Sequence, residues 1–519
     1  MFDINNFDDP EVWDLICEGD TKGIFQLESN LGKHWAKETK PRNIKELAAL
    51  ISLIRPGTLL ARDANGKSMT QVYADRKGGK PNSPVEYLHE SLEPILKETY
   101  GVLVYQEQSM MIAQKLAGFD LKEADALRKA IGKKKADLME KVKRAFLEGT
   151  EKQGIVSKEI AEELFSWIEK SNRYAFNKSH AISYAINAYW SAYCKTYRRK
   201  KFYEKYLNRA DRKPAPDIEK KQLIMDARRF GIEVLPPRLQ HLHKDFTRHP
   251  EKDIVYYGLA HIKHVAEKES EKLSSLTNVE NYNWMDCLIN IIYELGINKS
   301  ATVAFISVGA FNGPNNRISR QKMLYEFDSW RQLTQKEQDA IAISYNSDAN
   351  KPKDLYEAMQ KLTSTVKINA RRLQSIEDIK QSLKNPFYDI EDKFETIAID
   401  EEKYMSCSLT CSKVDGLEIN TTINMCQEVS SKSIIGKVSL AIEIVRIKIV
   451  KTKKGKTPGQ EMAFLTVEDG SGSLDSITVF PEAYDKYKDL LVENNTVLLI
   501  GEISKKDKGS VIVNQVSQI

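Results

Sequence analysis

The 519-residue chain has only six cysteines, Cys17, Cys194, Cys287, Cys407, Cys411 and Cys426, and they are scattered. The one close pair, Cys407 and Cys411, has neither a second pair nor a histidine nearby. That argues against a zinc ribbon and a disulfide framework, and fits a reducing compartment. No apolar run approaches the roughly eighteen residues that a membrane-spanning helix needs. The start, MFDINNFDDPEVWD, is acidic where a secretory signal would be basic and then apolar. A soluble, cytoplasmic protein is expected. Charge imbalance is also missing: 78 Lys and Arg against 73 Asp and Glu leave +5, so only local clusters can be informative. Glycine and proline are spread out rather than pooled, and 41% hydrophobic residues supply material for packed cores, which makes disorder a poor default.

Length alone points to about three or four domains. From Pro10 to about Tyr206 apolar residues recur at three and four spacing, broken by the turns RPG (Arg55 to Gly57) and KGGK (Lys77 to Lys80), which predicts a large helical domain over 1–208. The stretch ADRKPAPD (Ala210 to Asp217) reads as an exposed connector, and 209–261 as a small βα adaptor. Short helical hairpins are expected over 262–374, joined by the glycine turns YELGINKS and SVGAFNGPNN, and 375–435 reads as a partly structured linker. Over 436–519 the period changes to two: three strands, a helix at PEAYDKYKDLLVEN, then two strands. The expected fold class is therefore multidomain and mainly α, with a C-terminal β-barrel of OB-fold type.

Two segments carry chemical content. In ADALRKAIGKKKADLMEKVKRAF, eight cations, Arg128, Lys129, Lys133, Lys134, Lys135, Lys141, Lys143 and Arg144, crowd together. They cannot all share one helix face, but Gly132 could end or bend the helix and bring the KKK run to a turn with outward N–H groups. A solvated lysine face is the alternative. In YAFNKSHAISYAINAYWSAYCKTYRRKK, a helix starting near Ser179 puts His180, Tyr184, Asn187 and Ser191 on one stripe and leaves Ala181, Ala185 and Ala188 for close packing. Asn177, Lys178, Ser179 and His180 then stand at the helix start, where N–H groups and the dipole favour a phosphate. Tyrosines on such a stripe are more often core. GIFQLES (Gly23 to Ser29), IRPGTL (Ile54 to Leu59) and YGVLVYQEQ (Tyr100 to Gln108) are not mechanistic signatures by themselves, and Arg55 before Pro56 reads as a turn residue.

Taken together, GIFQLES, IRPG, the DRK at Asp75 to Lys77, YGVLVYQEQ, ADALRKAIGKKK, FNKSHAISYA and VLPP resemble, in order and spacing, the fingers region of family C polymerases, the bacterial DNA polymerase III alpha subunits. The resemblance spans nearly the whole chain. It implies fingers that hold the triphosphate of an incoming dNTP, with Arg128, Lys129 and Lys133 on the basic helix. Asn177, Lys178, Ser179 and His180 would border the pocket and Tyr184 would lie near base or sugar. Such groups neutralise and position a triphosphate for phosphoryl transfer.

The same resemblance implies palm aspartates that bind two metal ions, with Mg2+ as the expected cofactor, on a segment before GIFQLES. Only 22 residues precede Gly23. Asp3, Asp8, Asp9 and Asp14 lie among them, but their setting resembles the segment just after the last catalytic aspartate, and helix capping and surface charge are expected of them. The family's PHP domain has no counterpart. The expectation is a split polymerase whose palm comes from a separate chain, although a truncated chain would look the same. The alternative is a noncatalytic DNA-binding protein derived from such a polymerase.

Gly258 to Leu273 and LGINKSATVAFISVGAFNGPNNRISRQKML resemble the family's tandem helix-hairpin-helix domain, in which backbone N–H groups hold duplex phosphates. The second copy keeps Gly309, followed by Arg317, Arg320 and Lys322. The first has His264 and Ala266 where relatives favour glycine, so a weaker grip is expected there. In the barrel, KTKKGK places Lys451, Lys453, Lys454 and Lys456 in the loop between the first two strands, with Phe464 and Phe480 on strands two and three. Loop cations and strand aromatics are how OB-folds hold single strands, although both phenylalanines could fill the barrel. QSLKNPF (Gln381 to Phe387) sits where relatives carry a sliding-clamp peptide.

Overall fold

The computed structural model describes residues 5–519 except 64, 134–135, 172–174, 348–349, 363–368, 385–390, 418, 420–421, 453–457 and 506–508, and without the side chains of 131–138 and 476. The chain forms two compact units, Met1–Arg199 and Lys200–Ile519.

The first unit is helical, and its helices start where polar caps stand. Asp9 caps Pro10–Cys17 by accepting from the N–H groups of Glu11 and Val12. Ser29, Asn43, Ser68 and Asn177 cap Asn30–Thr39, Ile44–Leu53, Met69–Lys77 and Lys178–Tyr197 in the same way. Ile44–Leu53 buries every residue from Leu47 onward. The Lys178–Tyr197 helix turns Ala181, Ala185, Ala188, Tyr189 and Ala192 inward and packs on Ile44–Leu53, the close approach that small side chains permit. A second core gathers Leu116, Leu127, Phe146, Phe165 and Ile168 from Gln106–Ala117, Leu121–Lys133, Ala136–Gln153 and Lys158–Ser171.

In the second unit one core extends from Phe202 to Leu409, continuous across positions 261 and 262. It includes a small sheet in the order β1 (Glu233–Leu235), β3 (Ile254–Tyr256), β2 (Thr247–Arg248), with β1 parallel and β2 antiparallel to β3. Helices follow, and the stretch read as a linker carries Ala370–Lys384 and Phe394–Met405.

The end of the chain is a closed barrel, β4-β5-β6-β8-β7, from β4 (Lys437–Lys451), β5 (Glu461–Asp469), β6 (Gly472–Val479), β7 (Thr496–Ile503) and β8 (Val511–Gln518). The helix Pro481–Tyr487 separates β6 from β7, the expected OB-fold order. Period-two residues such as Val438, Leu440 and Ile442 fill its core. Among the described residues no helix is long and apolar enough to cross a membrane.

Candidate nucleotide and nucleic-acid interface

In the first unit the start of the Lys178–Tyr197 helix is built from distant pieces. Phe176 is held beside Tyr105 by a parallel bridge, its N–H donating to Val104 O and its carbonyl accepting from Gln106 N. Gln108, buried, accepts from the N–H groups of Val104 and Tyr105 and donates to Thr99 Oγ1 at 2.8 Å, so it shapes the strand-like turn rather than meeting a ligand. Asn177 Oδ1 then accepts from His180 N at 2.9 Å and fixes the helix start.

The stripe expected on this helix faces outward: Asn177, Ser179, His180 and Asn187 are exposed, and Tyr184 and Ser191 are half-buried. His180 and Tyr184 pack with 4.1 Å between ring centroids and their planes tilted by 48°. Phe176 lies 5.4 Å from His180, and Phe25 of GIFQLES lies 5.1 Å from Tyr184. Arg55 extends this ladder, its guanidinium carbon 3.7 Å from the Phe176 ring centre. By sequence alone, Arg55 before Pro56 reads as a turn residue. Burial pushes the Arg55 guanidinium below its ordinary value, with Tyr184 opposing the shift.

The expected cations are less available than their number suggests. Lys178 Nζ donates to Glu98 Oε1 at 2.5 Å. Glu107 accepts from Lys178 N at 2.9 Å and from Asn177 Nδ2 at 2.8 Å, so a carboxylate already uses an N–H at the helix start. Arg128 and Lys129, on Leu121–Lys133, both pair with Asp125, at 2.8 and 2.6 Å. Lys133 ends that helix, with its side chain outside the described residues. Asp75 of the DRK element is a buried anchor. Burial pushes its carboxyl up, but hydrogen bonds from Lys67, Lys80 and Gln71 outweigh this and bring it down to about 2.

GIFQLES itself is a tight turn. Thr21 Oγ1 donates to Leu27 O at 2.6 Å, and the buried Lys195 donates from Nζ to the carbonyls of Asp20 and Lys22 at 2.9 and 3.0 Å. The helix that carries His180 thus also holds the loop that presents Phe25. Of the early aspartates, Asp9 is a cap, Asp14 pairs with Arg42 at 2.5 Å, Asp8 N donates to Asn6, and Asp3 lies outside the described residues.

In the second unit, Gly309 takes a left-handed φ of +76° at the end of Lys299–Ser307, its N–H donating to Ile306 O. A Cβ here would come within 2.9 Å of Arg238 Nη1 and Arg320 Nη2, so any other residue meets both a strained backbone and two guanidinium groups that must shift. Arg320 corrects the expectation that it faces DNA: it is 4% exposed. It donates to Ser307 O at 2.7 Å, to Glu401 Oε1 at 2.9 Å and to Thr410 Oγ1 at 3.2 Å. Burying a guanidinium requires such pairing, and the pairing removes it from the surface. Arg238, unforeseen in the sequence, donates to Val308 O and Gly309 O at 3.0 and 3.2 Å. Asp392 accepts from Arg320 N and Gln321 N, filling the helix start after the turn. Arg317 is exposed and Lys322 half-buried. At the first hairpin, exposed His264 takes φ +66° itself and so keeps the left-handed turn without glycine, while Ala266 precedes Glu267–Ser274.

On the barrel, Lys451 is the exposed last residue of β4, and Lys453, Lys454 and Lys456 lie outside the described residues. Phe464 pairs across to Lys448 and Thr478 and is exposed. Phe480 falls just after β6, exposed at the cap of Pro481–Tyr487, so neither phenylalanine fills the barrel. By strand alternation the exposed Arg446 and Lys448 share Phe464's face, whereas Lys451 is on the opposite one. Arg446 and Lys448 were missed, although the phase of VRIKIVK pointed to them. In QSLKNPF, Gln381 donates to Glu377 and Leu383 is fully buried, so neither is presented to a partner; Asn385 to Phe387 lie outside the described residues.

Among the described residues one group of three carboxylates, Glu402, Glu443 and Glu468, could converge on a metal. Lys413 already pairs with Glu402 and Glu443 at 2.8 and 2.6 Å, and Lys221 with Glu468 at 2.6 Å. These residues do not fit a catalytic Mg2+.

Residues 2–154 match the model of the bacterial DNA polymerase III alpha subunit finger domain, 231–323 that of a helix-hairpin-helix motif, and 438–519 that of an OB-fold nucleic acid binding domain. The DNA polymerase III subunit alpha of Aquifex aeolicus is 33% identical over 497 residues, 95% of this chain and 37% of the relative. That of Staphylococcus aureus is 28% identical over 523 residues, 99% of this chain and 43% of the relative. The chain thus spans about two fifths of the length of these relatives. With finger, hairpin and barrel matched in order along nearly its whole length, the chain belongs to the bacterial DNA polymerase III alpha subunit family, as the stretch from finger domain to OB-fold.

Proposed function

We propose that the chain is the nucleotide- and DNA-holding part of a DNA-directed DNA polymerase, a nucleotidyltransferase of DNA replication. The observation that carries this is the outward strip at the start of the Lys178–Tyr197 helix, where His180, Tyr184 and Phe25 offer ring faces beside the cations Arg55 and Lys178. Base stacking and phosphate neutralisation are what a dNTP pocket needs. In this reading Asn177, Lys178, Ser179, His180 and Tyr184 border the nucleotide. Arg128 and Lys129 approach the triphosphate after exchanging their exposed pairs with Asp125, which hold only weakly, and Lys133 joins them there.

Duplex DNA is held by the hairpins, with Gly309 shaping the second turn and Arg317 and Lys322 near phosphate, and single-stranded template by the face of β4 and β5 together with Lys451, Lys453, Lys454 and Lys456. The exposure of Phe464 beside Lys448 supports the latter. The carboxylates that hold Mg2+ belong to a palm segment, whether joined to this stretch or carried by a companion chain, since the one convergent carboxylate group among the described residues is already taken up by lysines. The same reading puts the protein in the cytoplasm, in keeping with its six scattered cysteines.

Primer extension with this chain, with the palm-bearing chain, and with both tests the reading: activity only in the mixture is expected. Absence of synergy despite confirmed association would overturn it. A second reading, a noncatalytic DNA-binding protein, draws on the engagement of Lys178 by Glu98. It predicts DNA binding that falls steeply with salt and no effect on synthesis by any palm-bearing chain.

A further inference from the structure

The cations around the nucleotide strip differ in what already holds them. Arg128 and Lys129 share Asp125, and Lys178 is engaged twice, by Glu98 at its Nζ and by Glu107 at its backbone N–H. Arg55 has no carboxylate paired with it among the described residues, and its guanidinium carbon lies 3.7 Å from the centre of the Phe176 ring. It is presented by a rigid turn. Thr58 Oγ1 and Thr70 Oγ1 both donate to Leu53 O, at 2.6 and 2.8 Å, and Arg55 stands in extended conformation just before Pro56–Leu60.

A guanidinium held over a ring face keeps N–H donors at its edge that can meet two oxygens of one phosphate. It is already half-buried, so it gives up less hydration when an anion arrives, and its geometry is preset by the aromatic beneath it. Lys178 would instead have to leave Glu98 and strand that carboxylate opposite the incoming negative charge. Glu98 anchors the helix start through Lys178 Nζ, and Glu107 holds Asn177 in its capping position.

We propose that Arg55 receives one phosphate of the nucleotide, beside those met by Arg128, Lys129 and Lys133, and that Lys178 is a positioning residue that keeps the helix start in register through Glu98 and Glu107. The inference rests on the nucleotide-pocket reading above and names the contact within it. The ladder of Phe176, His180, Tyr184 and Phe25 then runs from this phosphate contact toward the base, giving the site the chemistry of a nucleoside triphosphate rather than of a bare anion.

The test is equilibrium titration of the full chain with a mant-labelled deoxynucleoside triphosphate, and in parallel with a fluorescein-labelled single-stranded oligonucleotide. Arg55→Ala is expected to weaken triphosphate binding at least about tenfold, and Arg55→Lys about threefold or more, because lysine keeps the charge but loses the planar fork. Lys178→Ala should lose less than Arg55→Ala, and oligonucleotide binding should stay near the wild-type value throughout. Circular dichroism melting checks each variant, and Arg55→Lys decides the matter if Arg55→Ala does not fold. Triphosphate binding at the wild-type level in the folded Arg55 variants, or a larger loss from Lys178→Ala, would overturn the inference alone. So would a loss confined to the oligonucleotide, which would make Arg55 a template-strand contact. A wild-type chain with no saturable triphosphate binding would remove the pocket reading itself, and this inference with it.

Discussion

The two hairpins of the second unit reach the same left-handed turn from opposite sequences. Gly309 adopts φ +76° with two arginines packed where a Cβ would lie, and His264 adopts φ +66° in the open, its ring 6.0 Å from that of Tyr404. The second hairpin, basic and glycine-bearing, invests Arg320 in a buried pair with Glu401 and fills the next helix start with Asp392. The first, which lacks the glycines, leaves its turn exposed. A glycine motif is thus sufficient but not necessary for the left-handed turn, and it says little about which polar groups remain available to a ligand.

The largest effect should come from cutting the support of the second hairpin. Arg320→Ala leaves Glu401 buried without its cation and is expected to cost about 3–5 kcal/mol, read as a lowered urea midpoint. A cost below about 1 kcal/mol would mean that the pair is not holding the turn. Gly309→Ala comes next, at about 2 kcal/mol or more, since the left-handed backbone is strained for alanine and the new methyl meets two guanidinium groups.

At the first hairpin the sign reverses. His264→Gly relieves the same backbone strain with no crowding to gain or lose, and should stabilise the chain by about 0.5–1 kcal/mol after the added freedom of the unfolded state is counted. A loss of stability there would show that the contact with Tyr404 matters more than the strain.

The smallest effect is one of pH, at the base of the first hairpin. There Asp211 accepts from His261 and pairs with Lys220 at 3.0 Å. The hydrogen bond from His261, followed by that from Lys220, outweighs burial and draws the Asp211 carboxyl down to about 2. A depressed carboxylate contributes stability that is present above its unfolded value, near 4, and is lost as pH falls toward 2. Asp211 is 45% exposed, so solvent screening keeps the contribution below about 1 kcal/mol. Urea midpoints between pH 5 and pH 2 should fall less steeply in Asp211→Asn than in the parent chain; parallel curves would remove Asp211 from the account.

Much of the architecture was legible because local periodicity survives folding. VSLAIEIVRIKIV alternates as β4 does, and the barrel follows strand for strand. Ala181, Ala185 and Ala188 predicted a close-packed helix face, and they are fully buried. The candidate site was legible only in part. His180 and Tyr184 share a stripe by spacing alone, but the link from Lys178 to Glu98 spans 80 residues and that from Lys178 N to Glu107 spans 71. No local pattern encodes either. Arg55 looked like a turn residue because nothing in IRPG says that Phe176 will lie beneath it. Phe480 was placed on a strand, and falls one position beyond it, where the proline of PEAYDKY begins a helix.

The sequence by itself determined the helical character of the first unit, the strand order of the barrel, and which family the motifs in order belong to, since these depend on neighbours a few residues apart. The tertiary structure decided which cations are free. Arg320, Lys178 and Arg128 are basic in any reading of the chain. Only long-range packing, which sets both desolvation and the carboxylate within reach, separates a buried strut such as Arg320 from a poised contact such as Arg55.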